Sequence, residues 1–258
     1  MINPLKTRLD AGKSCANGWL GIPSGFSAEL MAQCGWDSIT VDLQHGVQDY
    51  QSMVECFQAM GRFPVTPLAR VPWNEPGIIG KTLDAGAWGV ICPMINDAAE
   101  AKALADACFY PPLGRRSNGP IRWGGYDGAP YQPNANSQVL AIAMIETREG
   151  IDNIDAILSV PGISGIYVGP SDMRLALGLS AVLDTQDQEI LDIYAGLIAA
   201  CRRHGKFAGL HTLSAAYSAQ MSRMGFQLCT VGSDATLLVE VASGAVSAFR
   251  RDGVETVT

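Results

Sequence analysis

The stretch SITVDLQHG, residues 38–46, begins with β-branched and apolar residues and ends on an acid, an amide and a histidine. Its apolar half predicts a buried strand, and its polar half follows where that strand ends. A buried strand does not need such an ending for its own stability. Asp42 and His45 are therefore candidate functional groups.

Apolar runs of this kind alternate with helical stretches eight times along the 258 residues. The runs are GWLGIP (18–23), SITVDL (38–43), TPLARV (66–71), GVICPMI (89–95), VLAIAMIE (139–146), GIYVGP (165–170), FAGLHT (207–212) and FQLCTVGS (226–233). Continuous apolar strands separated by helices indicate a parallel sheet that is covered on both faces. Eight units predict one (β/α)₈ TIM barrel domain over residues 1–258. An open doubly wound sheet is the main alternative, but GIPSGFSAE lacks the G-x-G-x-x-G pattern of its nucleotide sites.

The composition restricts the class of partner. A net charge of −7 argues against nucleic-acid binding and favours small-molecule substrates. No segment is long and apolar enough to predict a membrane span. The seven cysteines are scattered and form no C-x-x-C motif, which is typical of reduced thiols in the cytoplasm.

Polar residues collect at the predicted carboxyl ends of the strands, where barrels of this kind carry their chemistry. They are Asp42, Gln44, His45, Arg70, Glu146, Asp172, His211, Ser233 and Asp234. An isolated acid at such a position is often only a capping group. Several charged groups at one end of one barrel would repel or stay unpaired unless a ligand lay between them.

Glu146 and Asp172 follow neighbouring strands, so their carboxylates can meet. Such a pair suits a hard cation, Mg²⁺ or Mn²⁺, although a carboxyl pair sharing a proton or two separate helix caps would look the same. His45, close to Asp42, is either a general base or a buried neutral histidine. Arg70 lies inside a strand and needs an anionic partner, such as an enolate or a substrate carboxylate.

The stretch VGPSDMRLALG, residues 168–178, predicts a tight turn at Gly169 and Pro170 that leads into a short helix. The first backbone N–H groups of a helix bind carboxylates well. A cation, a carboxylate cradle, an arginine and a base together suit a 2-oxoacid that is chelated through its carboxylate and ketone.

The sequence that contains these residues resembles the HpcH/HpaI family of class II, metal-dependent pyruvate-type aldolases. The resemblance covers roughly residues 6–250. The resemblance rests on the order of GWLGIPSGFSAELMAQCGWDSITVDLQHG, PLARV, LDAGAWGVICPMI, YPPLGRRSNGP, IETREGIDNIDAI, GIYVGPSDM and VGSD. It implies a (β/α)₈ barrel with Glu146 and Asp172 as metal ligands. It also implies that His45 is the base, acting directly or through water.

Further roles follow from the same resemblance. Arg70 would stabilise the enolate, and the backbone of Ser171 and Asp172 would hold the pyruvate-like carboxylate. Asp84 would raise the basicity of the histidine, although the chain order places Asp84 before strand four, away from the catalytic end. The predicted contacts at the site also include Asp42, which would orient His45 or its water, and the substrate-binding residues Trp19, Gly169, Pro170 and His211. The family commonly forms hexamers with exchanged C-terminal helices.

Three positions depart from the family pattern. Gln44 replaces a frequent Glu, Met144 replaces the first residue of a frequent Q-x-E motif, and His211 replaces an apolar residue. None of these is a presumed metal ligand. We therefore expect the chemistry to persist while the substrate preference changes.

Together with these residues, the resemblance implies a lyase that cleaves 4-hydroxy-2-oxoacids to pyruvate, or a similar oxoacid such as hydroxypyruvate, and an aldehyde, with Mg²⁺, Mn²⁺ or Co²⁺ as cofactor. A Schiff-base aldolase is disfavoured because none of the five lysines ends a strand. A malyl-CoA or citramalyl-CoA type lyase is the alternative, with Arg115, Arg116 and Arg122 as its basic cluster. A non-catalytic oxoacid-binding protein is the third possibility. The long segment 109–138 is expected to be an ordered lid or a subunit contact.

Overall fold

A computed structural model of the chain, which describes residues 2–122 and 130–251, confirms the predicted barrel. Eight parallel strands pair in chain order and close between the first and the last. The strands are β1 (Cys15–Leu20), β2 (Ser38–Asp42), β3 (Thr66–Arg70), β4 (Gly89–Cys92), β5 (Leu140–Ile145), β6 (Ile163–Val168), β7 (Phe207–His211) and β8 (Leu228–Ser233).

Helices lie outside the barrel and connect its strands. They are α1 (Pro4–Asp10), α2 (Gly25–Ala32), α3 (Tyr50–Met60), α4 (Pro76–Asp84), α5 (Ala98–Cys108), α6 (Tyr131–Gln138), α7 (Arg148–Asp152), α8 (Ile154–Leu158), α9 (Pro170–Ala176), α10 (Gln188–Arg203), α11 (Ala215–Met224) and α12 (Asp234–Arg251). Within the described residues, none of these helices has the length and hydropathy needed to cross a bilayer.

Two apolar layers result from the alternation of side chains along each strand. One layer packs between the strands and the helices, and contains residues such as Ile39, Val41 and Val90. The other fills the barrel interior, where Trp19, Met144 and Tyr167 are buried. The inward-facing residues near the carboxyl ends of the strands form the floor of the catalytic end.

Strand β1 begins at Cys15, three residues before the apolar run that predicts it. The difference arises at Asn17, a polar residue that is fully buried inside the barrel. Its Nδ2 donates to Thr230 Oγ1 at 2.9 Å, and its Oδ1 accepts hydrogen bonds from Ser38 Oγ at 2.8 Å and Thr40 Oγ1 at 3.1 Å. Because these bonds satisfy the buried amide, the strand can include a polar residue. Hydropathy alone therefore predicts a strand that starts too late.

The described parts of segment 109–138 do not cover the catalytic end of their own barrel. The segment connects the end of α5 to the start of β5, and such connections lie at the amino ends of the strands. Arg116 stacks on Tyr110 and Tyr131, with its Cζ 4.7 and 5.4 Å from their ring centroids. The prediction of an ordered segment holds there, whereas a lid over its own site is wrong for these parts. Residues 123–129 lie outside the described residues.

Candidate active site

The closed barrel brings most of the predicted site residues to one end. Asp42 and Arg70 are the last residues of β2 and β3, and they face each other in the strand register. Glu146 directly follows β5, and Asp172 lies in the first turn of α9, after β6. His211 ends β7.

Asp42 and Arg70 form a buried bidentate ion pair. Arg70 Nε donates to Asp42 Oδ1 at 2.8 Å, and Nη2 donates to Oδ2 at 2.6 Å. Trp19 Nε1 donates to the same Oδ2 at 3.1 Å. Burial by itself would raise the pKa of Asp42, but the hydrogen bonds and positive charge of Arg70, with the indole of Trp19, leave it below its ordinary value.

Within the described residues the carboxylate of Asp42 makes no hydrogen bond to the imidazole of His45, and its role in orienting His45 or its water stays a prediction. Its Oδ1 instead accepts from the backbone N–H groups of Gln44 at 3.1 Å and His45 at 3.3 Å. These bonds shape the turn that carries His45. The imidazole itself is exposed and makes no hydrogen bond within residues 2–122 and 130–251.

Glu146 is a buried carboxylate whose position depends on two neighbouring loops. It is 2% exposed, and its Oε1 accepts from the backbone N–H of Met94 at 2.9 Å. Met94 adopts a φ of 57°, which is unusual for a residue other than glycine. Burial raises the pKa of Glu146 to about 7, and the nearby negative charge of Asp172 adds to that rise. The group is therefore costly to ionise unless a cation is bound beside it.

Gly169 leaves room for the other oxygen of Glu146. A Cβ at this position would overlap Glu146 Oε2 and lie 2.6 Å from Met144 Cε, so a larger residue fits only if both side-chain ends move. Gly169 also precedes α9, whose first residue is Pro170. The N–H groups of Ser171 and Asp172 lie in the first turn of that helix, where no intrahelical acceptor is available.

The two carboxylates fit a divalent cation in the chemistry of their donor atoms. Arg70, whose charge acts on Glu146, already pairs with Asp42. No group of three or more His, Cys, Asp or Glu side chains in the described part of the chain is arranged to hold a metal ion. Glu146 and Asp172 are the two carboxylates at this end of the barrel that could hold a hard cation.

His211 lies beside Trp19 and Tyr167 at the same end of the barrel. Its ring meets Trp19 edge-on, with centroids 4.8 Å apart at 83°, and its Nδ1 lies 3.3 Å from the Tyr167 hydroxyl. Burial and the positive charge of Arg70 lower the pKa of His211 to about 4. The imidazole is therefore neutral at physiological pH.

The fold of one chain does not place Asp84 near the other predicted site residues. It is the last residue of α4, before β4 begins, and its Oδ1 accepts from Arg116 Nη2 at 2.6 Å. This places it near the amino ends of the strands, as the chain order predicted. Within one chain, its implied role beside His45 has no geometric support.

Sequence reasoning missed three residues that shape the site. The N–H of Met94 holds Glu146, and the side chains of Tyr167 and Thr230 connect Asn17 to His211. Polar residues at inward-facing strand positions were the available signal for Tyr167 and Thr230. A backbone N–H leaves no such signal. Asp234 has a structural role, because its carboxylate accepts from the backbone N–H groups of Gly21 at 2.9 Å and Ile22 at 3.2 Å and so anchors the loop after β1.

Comparisons with known proteins identify the family of the chain. Residues 19–241 match the model of the family described as HpcH/HpaI aldolase/citrate lyase. A "Hydroxypyruvate/pyruvate aldolase" of Rhizorhabdus wittichii is 35% identical over 249 residues, which are 96% of this chain and 99% of the relative. A "4-hydroxy-2-oxo-heptane-1,7-dioate aldolase" of Salmonella newport is 34% identical over 260 residues, covering 99% of this chain and 96% of that one.

A solved structure gives the same result. A HpcH/HpaI aldolase/citrate lyase family protein from Burkholderia cenocepacia superposes with a TM-score of 0.89 at 27% identity, over 96% of this chain and 99% of that one. The family match extends over most of the chain and includes every residue assigned above to the catalytic end of the barrel. The chain belongs to the HpcH/HpaI aldolase/citrate lyase family.

Proposed function

We propose that this protein is a divalent-metal-dependent class II aldolase that reversibly cleaves 4-hydroxy-2-oxoacids to pyruvate, or a similar 2-oxoacid such as hydroxypyruvate, and an aldehyde. Oxoacid aldolase is the class that the names of both relatives state. The observation that carries the proposal is the buried Glu146 carboxylate next to the charge of Asp172, at the carboxyl end of the barrel. Two ionised carboxylates this close repel each other, and a bound cation, which an oxoacid aldolase of this class uses, offsets that repulsion and the cost of burial.

Glu146 and Asp172 would hold Mg²⁺, Mn²⁺ or Co²⁺. When bound, the cation would supply a Lewis acid that polarises the oxoacid carbonyl and favours its enolate. The N–H groups of Ser171 and Asp172, after the turn at Gly169 and Pro170, would bind the substrate carboxylate.

The remaining side chains move the proton and stabilise charge. The exposed imidazole of His45 accepts a proton from the carbon next to the oxoacid carbonyl, directly or through water, and returns it in the reverse direction. Arg70, held rigidly by Asp42 and packed 5.0 Å from the ring centroid of Trp19, contributes a fixed positive charge where the enolate oxygen develops.

The acyl-CoA lyase alternative receives less support. Its basic cluster would need Arg115, Arg116 and Arg122, but Arg116 is buried and paired with Asp84, and Arg122 donates to the Ala85 carbonyl. These arginines also lie toward the amino ends of the strands, opposite Glu146. A non-catalytic oxoacid-binding protein would not require an exposed base, and His45 is exposed.

We also propose that the protein forms hexamers in the cytoplasm. Helix α12 exposes Leu238, Val241 and Phe249, spaced so that they form one apolar stripe. A stripe of this size supports a contact with another subunit, and the hexamer is the assembly that the family resemblance implies. The seven cysteines are all free, which supports a reducing compartment.

Exchange of the pyruvate methyl protons in D₂O, followed by NMR, tests the proposal without a choice of aldehyde. We expect exchange by the metal-loaded wild type, its loss with EDTA, and a decrease of about a hundredfold or more in His45→Ala. The matched control is His204→Ala, because His204 bonds to Asp155 outside the site and its loss should leave exchange unchanged.

Absence of exchange in a folded, metal-loaded wild type would contradict the proposal for pyruvate. Proton exchange with hydroxypyruvate but not with pyruvate would support the aldolase class and identify hydroxypyruvate as the oxoacid. Cleavage of malyl-CoA without any oxoacid exchange would favour the acyl-CoA lyase.

A further inference from the structure

A chain of buried hydrogen bonds crosses the barrel interior and ends on His211. It begins at the Ser38 and Thr40 hydroxyls, which donate to Asn17 Oδ1, and Asn17 Nδ2 donates to Thr230 Oγ1. The chain then continues from Thr230 through the Tyr167 hydroxyl to His211 Nδ1. All members before His211 are fully buried, so each proton in the chain needs an acceptor within it.

The direction of the hydrogen bonds follows from counting donors and acceptors. Thr230 Oγ1 already accepts from Asn17, so its own proton is satisfied by the Tyr167 oxygen. The Tyr167 proton then goes to the remaining acceptor, His211 Nδ1. If the Asn17 amide were rotated, the Ser38 and Thr40 hydroxyl protons would lack acceptors in the described part of the chain.

This direction determines which tautomer His211 adopts. With Nδ1 acting as an acceptor, a neutral imidazole carries its proton on Nε2. Nε2 makes no hydrogen bond with any group in residues 2–122 and 130–251, and His211 is only partly buried, unlike the rest of β7. Its position at the end of the strand places Nε2–H at the catalytic end, on the side of the ring away from Tyr167.

The described neighbours of His211 offer its Nε2–H no hydrogen-bond acceptor. Trp19 packs against one side of the ring, and the charge of Arg70 opposes protonation of the imidazole. Of the facing charged groups, Asp42 is neutralised by its ion pair with Arg70, and Asp184 is bound to the N–H groups of Leu213 and Ser214. A donor in such a pocket favours a ligand that supplies an oxygen acceptor over one that does not.

We propose that His211 is a specificity-determining residue whose Nε2–H donates to a substrate hydroxyl, so that the enzyme prefers hydroxylated substrates to their deoxy counterparts. The proposal rests on the aldolase function proposed above. The hydroxyl belongs either to C3 of the oxoacid or to the carbon next to the aldehyde group. Tyr167 is a positioning residue, which acts by keeping the proton on Nε2.

The tautomer can be tested without any activity measurement. In ¹⁵N-labelled full-length protein near neutral pH, we expect NMR to show a protonated Nε2 and an acceptor-type Nδ1 for His211. Assignment is direct because the chain has only three histidines, and His45→Ala and His204→Ala remove the other two sets of signals one at a time. Tyr167→Phe should produce a mixture of tautomers. A wild-type His211 protonated on Nδ1 would overturn the proposal.

Kinetics then separate the two sources of the hydroxyl. The first comparison is proton exchange of hydroxypyruvate against pyruvate, and the second is condensation of pyruvate with glycolaldehyde against acetaldehyde. We expect His211→Leu to lower the preference ratio in kcat/KM by about tenfold or more in one of the two comparisons. His211→Gln, which can keep a donor near the position of Nε2, should restore part of the ratio, and His204→Leu should leave both ratios unchanged.

Unchanged ratios in folded His211→Leu would overturn the proposal even if the enzyme remained an active aldolase. Conversely, a wild type without activity on any of the four substrates would contradict the proposed function. The predicted tautomer could still be observed in that case, so the two failures are distinguishable.

Discussion

Asp42 organises the centre of the site, although no hydrogen bond among the described residues joins it to the imidazole of His45. Its carboxylate accepts from five donors, two on Arg70, one on Trp19, and the backbone N–H groups of Gln44 and His45. One side chain therefore positions both the fixed positive charge and the turn that carries the proposed base.

Asp42→Asn should destabilise the protein strongly, because it leaves the Arg70 guanidinium buried and without an anionic partner. Removing one member of a buried ion pair costs about 3–5 kcal/mol. The free energy of unfolding in urea would measure the loss. Asp155→Asn is the matched control, because Asp155 pairs with Arg203 at the surface and its loss should have a much smaller effect. Equal losses in the two variants would contradict a structural role for the Asp42–Arg70 pair.

His211 should make the stability of the protein dependent on pH. Its pKa is about 4 in the folded state and 6.5 ordinarily, so the unfolded chain binds more protons between these values. The free energy of unfolding should therefore fall as the pH drops from 6.5 to about 4, by at most about 3 kcal/mol.

The measurement is the free energy of unfolding of the wild type and of His211→Leu at each pH in this range, with EDTA present. The difference between the two free energies gives the contribution of His211. Glu146 has the opposite effect on the free energy of unfolding. Its pKa rises from 4.5 to about 7 in the folded state, so its contribution to stability is lost as the pH rises through this range. Since both proteins contain Glu146, its contribution cancels. A difference that does not vary with pH would show that His211 is not held neutral.

At the scale of the elements, the loops that follow β4, β5 and β6 jointly build the carboxylate site. Met94 supplies an N–H, Glu146 supplies the carboxylate, and Gly169 supplies the space next to it. Each loop alone has only one of these parts, and parallel strand pairing brings them together.

Gly169→Ala should impair metal binding more than folding. The new Cβ would overlap Glu146 Oε2 and force that carboxylate to move, so we expect at least a tenfold loss of Mn²⁺ affinity, as for other changes beside metal ligands. Titration calorimetry with Mn²⁺ would measure it.

Gly196→Ala in α10 is the control, because a Cβ there meets no atom within 4 Å. It should leave Mn²⁺ affinity unchanged and raise stability slightly, since alanine favours a helix more than glycine. Equal Mn²⁺ affinities in the two variants would contradict the contact between Gly169 and Glu146.

At the scale of the whole molecule, the barrel leaves one long helix only loosely attached. Only Asp234 of α12 is buried, and the helix exposes the apolar stripe of Leu238, Val241 and Phe249. The proposed assembly would bury this stripe against another subunit.

A double variant, Leu238→Glu with Val241→Glu, should break the assembly, because charged side chains would have to be buried in the contact. Light scattering after size-exclusion chromatography should show a smaller particle than the wild type. Ser247→Glu is the matched control, since Ser247 lies on the opposite face of α12 and its replacement should leave the mass unchanged. A monomeric wild type, or a double variant of unchanged mass, would contradict the proposed role of α12.

The sequence by itself determined the eightfold alternation of strands and helices, the family, and the end of each strand to within about three residues. Hydrophobic periodicity is local, so it locates β2 to within a residue and places His45 just beyond it. Polar residues at the predicted strand ends likewise made Glu146 and Asp172 candidate metal ligands without any coordinates. The predictions that rest on them, including the oxoacid aldolase class, agree with the relatives.

Only the tertiary structure decided which side chains meet. Asp42 pairs with Arg70, 28 residues away, because the register of β2 and β3 aligns them, whereas His45, three residues away, offers it only a backbone N–H. Asn17 finds Thr230 across 213 residues because the barrel closes between β1 and β8. Such partners depend on strand register and closure, which no local pattern encodes, and they determine the charge of Asp42 and the tautomer of His211.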